Sequence, residues 1–355
     1  MTNLAAVMTA PETIELQERP EPEAGPGQAV VAIRAVGVCG SDVSFYRYGR
    51  IGPYVVQGDL ILGHEVSGEV LSVGSGLTNV VPGDRVAIEP SMPDWSCAQC
   101  RAGRYHLCPN LRFLATPPVD GALVQRMALD ARMLFPMPDS MTFEEGAIVE
   151  PLSVGLWGCQ RAGLRPGDDV LVTGAGPVGL LAAESARALG ARTVTITDVV
   201  RERLEVASRH GFRVEVSGSA DSAETDSAKT DSPARSAATY DVLLECSGAP
   251  GALADGLGRL GPAGRAAVIG ISKQNADLPL HTLNWNEITI SMVSRYQNTW
   301  PLGIALISSG RIDLTGVHTH SFPLAETAAA LAIGASDPSA VKSIIYPQDV
   351  EALAR

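Results

Sequence analysis

Apolar and polar positions alternate in short bursts along the first third of the chain, with Gly and Pro punctuating them. Gln28 to Val38, Ser67 to Gly74 and Arg85 to Glu89 follow the alternation of strands bounded by turns. This predicts a β-rich, irregular domain. From Phe143 the spacing of apolar residues lengthens. A helix through Leu156 and Cys159, ending near Gly163, leads into regular alternation. Asp169 to Thr173 reads as a strand, Pro177 to Leu189 as a helix, Thr193 to Thr197 as a strand and Arg201 to His210 as a helix. Asp241 to Cys246 and Arg265 to Ile271 read as further buried strands. Such alternation predicts a doubly wound parallel sheet, giving an α/β chain with a β-rich domain in front.

One stretch breaks the pattern. Between 217 and 239, Asp221, Asp226 and Asp231 begin copies of a unit Asp-Ser-Ala-(Glu/Lys)-Thr, the last decaying into Ser-Pro. Ser, Asp and Thr favour caps and turns over helix interiors, and almost nothing apolar is available for burial. The expectation is a mobile surface segment without chemistry. No longer repeat is visible, which excludes solenoids and propellers.

Composition narrows the class. A chain of 355 residues, 45% hydrophobic and 19% charged, is long enough for two globular domains. A formal net charge of -12 argues against non-specific nucleic-acid or anionic-membrane binding, which need clustered basic surface. The first residues lack a basic segment followed by an apolar core, and no apolar run approaches the roughly 20 residues of a membrane span. A cytoplasmic protein is expected. Of the six cysteines, Cys97, Cys100 and Cys108 crowd one short stretch, a distribution that favours metal binding over disulfides in a reducing compartment.

Two constellations carry chemistry. Gly174-Ala-Gly176-Pro177-Val178-Gly179 places a G-x-G-x-x-G between a strand and a helix. The glycines serve a tight turn, close approach of a pyrophosphate and close helix–strand packing, while the helix N-terminus favours the phosphate charge. The next strand ends at Asp198, at the spacing of a ribose-binding acid. A carboxylate there accepts hydrogen bonds from a ribose hydroxyl and repels a 2′-phosphate, which favours NAD over NADP. Arg201 and Arg203 close behind temper that preference. Separately, Cys39, His64, Glu65 and Glu150 supply a thiolate, an imidazole and two carboxylates, the donor types of a catalytic zinc. Singly, each has a bland explanation as a core, hydrogen-bonded or surface residue; together with the nucleotide turn they point to an enzyme. A second cluster, Asp94 with Cys97, Cys100 and Cys108, has the spacing of a structural zinc lobe, with an aspartate as its harder first ligand.

The chain resembles the zinc-containing medium-chain alcohol dehydrogenase superfamily, in its sorbitol (polyol) dehydrogenase branch. The matching segments are Val38-Cys-Gly-Ser-Asp-Val43, Tyr48-Gly-Arg-Ile-Gly52, Leu62-Gly-His-Glu-Val66, Gly103-Arg-Tyr105 and Ala115-Thr-Pro-Pro118 with Asp120-Gly121. Phe143-Glu-Glu-Gly-Ala147, Glu150-Pro-Leu-Ser-Val154 and Arg295-Tyr-x-Asn-Thr-Trp-Pro301 complete the set. The glutamate of Glu-Pro-Leu-Ser-Val and the Arg-Tyr-x-Asn-Thr run are the branch-specific signals. The resemblance implies a GroES-like catalytic domain (1–152) completed by a C-terminal segment (292–355), around an inserted Rossmann domain (153–291). It also implies a homotetramer or homodimer.

It implies roles residue by residue. Cys39, His64 and Glu65 hold zinc, Glu150 binds it directly or through water, and Ser41 passes a proton towards the nicotinamide ribose. Val178, Asp198, Arg203 and the backbone of Ile269, Gly270 and Ile271 contact NAD, and Arg295 and Tyr296 face the substrate. The implied reaction moves a hydride from a secondary alcohol of a polyol to NAD, giving a ketose. Phe45 stands where the branch has a substrate-contacting tyrosine, so one hydrogen bond to a hydroxylated substrate is lost. Butanediol, threonine, an aldose or another alcohol are alternative substrates. A zinc-free quinone or enone reductase and a non-catalytic NAD-binding protein are remoter alternatives.

Overall fold

The computed structural model describes residues 2–217 and 239–349, so the interrupted stretch lies almost wholly outside the described residues. The chain divides into two compact units. One is Val154–Ser294; the other combines the residues up to Ser153 with those from Arg295 onward.

The split unit is built around strand Gln28–Gly37, in which Ala29, Val31, Ile33, Ala35 and Val36 are buried. A strand covered on both faces must be apolar almost throughout, and this one is. It pairs with Glu65–Val73, Arg126–Asp130 and Lys342–Tyr346. Arg85–Ile88, Leu134–Pro136 and His318–Pro323 extend the same seven-stranded sheet. The strand from the end of the chain enters antiparallel, Ile344 opposite Gly37 and Ile345 opposite Val36. A smaller sheet joins Asn3–Ala10 to Thr13–Arg19 and Leu60–Ile61. Val7, Ile33, Val36, Leu62, Val66 and Ile88 belong to the core cluster between them.

The inserted unit is a six-stranded parallel sheet ordered Arg213–Val216, Thr193–Asp198, Asp169–Thr173, Tyr240–Glu245, Leu260–Val268, Thr289–Met292. This is the doubly wound order in which the strand sequence reverses next to the first strand, the place where such sheets bind dinucleotides. Helix Pro177–Ala188 packs Leu180, Leu181, Ala182, Ala183 and Ala186 inward.

One strand departs from expectation at both ends. It spans Leu260–Val268, not Arg265 to Ile271. The Gly-Pro-Ala-Gly run at 261–264 is taken up as an irregularity: Leu260 lies opposite Tyr240, Arg265 opposite Val242, and Ala263 sits at φ 59°. At the far end, Ile269 and Gly270 both turn their N–H groups onto the Glu245 carbonyl, at 2.8 and 2.9 Å. Ile271 lies beyond the strand and is 76% exposed. No described helix is long and apolar enough to cross a membrane.

Candidate active site

Cys39 ends the run out of strand Gln28–Gly37 and caps helix Gly40–Tyr48. His64 and Glu65 stand at the start of Glu65–Val73, directly after Gly63 at φ 91°. A Cβ at Gly63 would lie 2.7 Å from Val36 Cγ1, so only glycine turns the chain here. The result brings one donor atom each of Cys39, His64 and Glu65 within 4.8 Å of one another. Sulfur, nitrogen and oxygen at that spacing fit a zinc ion with a position left over for water or substrate.

Buried partners fix these side chains. Asp42 accepts hydrogen bonds from the Cys39 N–H at 3.1 Å and the Gly63 N–H at 3.0 Å. Its Oδ1 also faces His64 Nδ1 at 3.4 Å, which fixes the orientation of the imidazole. Lys342 Nζ donates to both Glu65 oxygens, at 2.7 and 2.8 Å, and to the Val38 carbonyl at 3.0 Å. In the metal-free chain, burial opposes the charged form of His64, but Asp42 and Cys39 outweigh it and raise its pKa well above the ordinary value.

Glu150 is not among the three clustered donors. It lies in helix Phe143–Arg161, and its burial, reinforced by the Glu65 charge and opposed by His64, pushes its carboxyl up to about 7. Tyr296 is fully buried and electrostatically coupled to Glu150, though its hydroxyl makes no hydrogen bond of normal geometry among the described residues. The Arg295 guanidinium sits 5.0 Å over the Phe113 ring, which in turn lies 5.5 Å from the His64 ring. The Arg295–Tyr296 pair and the metal group therefore belong to one neighbourhood of the split unit. Phe45 is different: it is buried in the main core. Ser41 is half-buried in the first turn of its helix.

Asp94, Cys97, Cys100 and Cys108 also bring one donor atom each within 4.8 Å of one another. The Asp94 carboxylate accepts from the N–H groups of Ser96 and Cys97, at 2.8 and 2.9 Å, and these bonds hold it well below the usual carboxylate range. Burial and the neighbouring thiols push Cys100 up to about 12. A divalent ion would relieve that crowding, and the donor set fits one.

In the inserted unit the glycine turn behaves as its spacing demands. Gly174 takes φ 91°, and a Cβ at Gly179 would fall 1.8 Å from the Gly174 carbonyl oxygen. At Gly176 a Cβ would meet nothing within 4 Å, the open approach a pyrophosphate needs. Pro177 occupies the first turn of the helix, and no side chain caps its N-terminus. Asp198 ends the next strand, accepting from Ala175 N–H at 2.7 Å and Val200 N–H at 2.8 Å. Val178 lies in the first turn of the same helix, and Arg203 is exposed on helix Arg201–Arg209.

Comparison with known proteins agrees with this geometry. Residues 25–139 match the alcohol dehydrogenase GroES-like domain, and residues 177–309 match the zinc-binding dehydrogenase family. The sorbitol dehydrogenase of Gallus gallus is 39% identical over 332 residues, covering 91% of this chain and 90% of the relative. That of Bacillus subtilis is 40% identical over 325 residues, covering 91% of each. The chain belongs to the zinc-containing medium-chain dehydrogenase superfamily, in its sorbitol dehydrogenase branch. The fold is shared with the crystal structure of 2R,3R-butanediol dehydrogenase from Bacillus subtilis, at a TM-score of 0.85 and 27% identity over 97% of this chain and 99% of that one.

For a medium-chain dehydrogenase, the sequence hides several residues that the structure brings to these sites. Asp42 is visible only as the fourth member of Cys-Gly-Ser-Asp. Lys342 gives no local signal, since its partner is 277 residues away. Glu245 is a third. Its Oε1 accepts from the N–H groups of Ser247 and Gly248, at 2.8 and 2.9 Å, beside the first glycine turn. A Cβ on Gly270 would come 2.2 Å from the Gly248 nitrogen, so both loop ends are packed on this buried carboxylate.

Proposed function

We propose that this medium-chain dehydrogenase oxidises a secondary alcohol of a polyol to a ketone, with NAD as the oxidant and zinc at the catalytic centre. The observation that carries the reading is the sulfur–nitrogen–oxygen donor group of Cys39, His64 and Glu65 in a chain that also holds a complete nucleotide turn with Asp198. When bound, zinc supplies Lewis acidity towards the substrate hydroxyl, and NAD accepts the hydride.

The remaining work falls to this chain's own residues. Cys39, His64 and Glu65 hold the ion, while Asp42 orients the imidazole and Lys342 balances the glutamate. Glu150, buried and within electrostatic reach of His64 and Glu65, is suited to hold the proton that the alcohol loses. Ser41 offers a second hydroxyl for proton transfer towards the nicotinamide ribose. Arg295 and Tyr296 orient the polyol. Gly174, Gly176, Pro177, Val178 and Gly179 take the pyrophosphate, Asp198 and Arg203 the adenosine ribose, and Ile269, Gly270 and Ile271 line the path of the nicotinamide half. Asp94, Cys97, Cys100 and Cys108 hold a second, structural zinc.

The same proposal places the enzyme in the cytoplasm, supported by six cysteines of which none is joined in a disulfide. It also makes the enzyme a homotetramer or homodimer, supported by the edge strand Thr289–Met292 with Leu280, Trp285 and Met292 exposed near it in sequence. Phe45, packed in the main core, lacks the hydroxyl that the resemblance places against a polyol, and a butanediol-type diol is kept as a second reading.

The test is NADH formation with xylitol, arabitol, mannitol, sorbitol and butanediol, alongside zinc content per subunit. Turnover of a polyol that chelation abolishes is expected; chelator-resistant activity, or none with any diol, overturns the proposal. The assignment of Asp198 has its own check. A hydrogen bond to a charged group contributes about 1.5–3 kcal/mol, so Asp198→Ala should weaken NADH binding about ten- to hundredfold and narrow the preference over NADPH. Fluorescence titration with both nucleotides measures this.

A further inference from the structure

Two residues of the turn that follows Ser294 sit in the left-handed region, Arg295 at φ 53° and Asn298 at φ 53°, although neither is glycine. Asparagine tolerates this region, but arginine is strained in it and stays there only where its surroundings over-determine the turn. Here the surroundings are identifiable. The Asn298 N–H donates to the Tyr105 hydroxyl at 2.9 Å, and the Tyr105 O–H donates to Glu89 Oε2 at 3.2 Å. Tyr105 and Glu89 are 7% and 5% exposed, so water competes little for either bond.

Both anchors are themselves held. Glu89 follows strand Arg85–Ile88, and its N–H donates to the Met133 carbonyl at 2.9 Å. Tyr105 opens a short 3-10 turn between Cys100 and Cys108, with its ring 5.5 Å from that of Trp95. The phenol therefore bridges a rigid sheet end and the cysteine lobe to a strained turn. That turn carries Arg295 over Phe113 and Tyr296 against Trp300, the last two rings 4.6 Å apart in a T-shaped contact.

We propose that Tyr105 is a positioning residue for the substrate: its hydroxyl, oriented by Glu89, holds the turn at 295–298 in the geometry that sets Arg295 and Tyr296 beside the metal group. This inference rests on the reading above, in which that turn faces the polyol. The lobe of Asp94, Cys97, Cys100 and Cys108 then acts on substrate recognition through Tyr105, which lies between Cys100 and Cys108.

Tyr105→Phe tests it, because the ring packing survives and only the bridging oxygen is lost. Removing one neutral hydrogen bond to a buried amide should raise KM for the polyol up to about tenfold, with kcat within about twofold and NADH affinity and zinc content unchanged. Hydrogen exchange at the Asn298 amide should speed by about tenfold, with protection in Val154–Ser294 unaltered. Glu89→Gln, which retains an acceptor for the phenol, should stay within about twofold of the parent in KM. Unchanged Asn298 exchange in Tyr105→Phe overturns the clamp. Faster exchange with unchanged KM, or parallel losses in kcat and NADH binding, overturns the positioning role. If the parent enzyme oxidises no polyol, the functional reading fails, and Asn298 exchange alone decides whether Tyr105 holds the turn.

Discussion

Replacing His64 by Ala, or Cys39 by Ser, is expected to lower kcat by about 1,000-fold or more while NADH affinity stays within about threefold. Metal polarisation of a reacting oxygen is worth several kcal/mol, and each 1.36 kcal/mol is a factor of ten in rate. Each substitution removes one of three clustered donors, and His64→Ala also strips Asp42 of its imidazole partner. The nucleotide turn is built from Val154–Ser294 and so does not depend on either side chain for its shape. Steady-state rates, zinc content and NADH fluorescence titration measure the three quantities separately. Loss of NADH binding in a folded His64→Ala variant would refute this division of labour.

Lys342→Ala should have the largest effect on stability. Lys342 and Glu65 are 3% and 1% exposed in their side chains, and the ammonium meets both carboxylate oxygens. Burial works against the charge on Lys342, but the Glu65 carboxylate more than compensates and raises its pKa. Truncating the lysine leaves an uncompensated buried carboxylate, which costs about 3–5 kcal/mol. Denaturant unfolding of chelator-treated protein measures that loss. A bound divalent cation also neutralises Glu65, so the loss should be smaller in zinc-loaded protein. Adding Glu65→Gln to Lys342→Ala should recover much of the stability in the chelated state, since the unpaired charge is then gone. Equal losses with and without zinc would show that the pair does not serve the metal site.

Local patterns in the sequence announce what is held together locally. The strand at Asp169–Thr173, the glycine turn and the helix Pro177–Ala188 are legible because propensity, glycine placement and apolar spacing all agree over a few residues. The metal donors are legible by residue type. What stays hidden is pairing at long range. Nothing near Lys342 announces Glu65, and nothing near Asn298 announces Tyr105. The strand Leu260–Val268 misleads for a different reason: Gly261, Pro262 and Gly264 carry the signature of a turn, yet the irregular pairing opposite Tyr240 and Val242 absorbs them. Resemblance to a family supplied the roles of Arg295, Tyr296 and Phe45. Chemistry alone would not have separated them from other side chains of the core.

The strand Lys342–Tyr346 imposes an order on biosynthesis. Proteins emerge from the ribosome N-terminus first, at about 5–20 residues per second, and domains fold as units when their sequence is complete. Val154–Ser294 is contiguous and can close its sheet during elongation. The catalytic unit cannot: its central strand waits for a neighbour made near the end of the chain, and Glu65 waits 277 residues for its counter-charge. Until then Cys39, His64 and Glu65 lie in a unit whose central sheet is incomplete, and Glu65 lacks the ammonium that balances it in the folded chain.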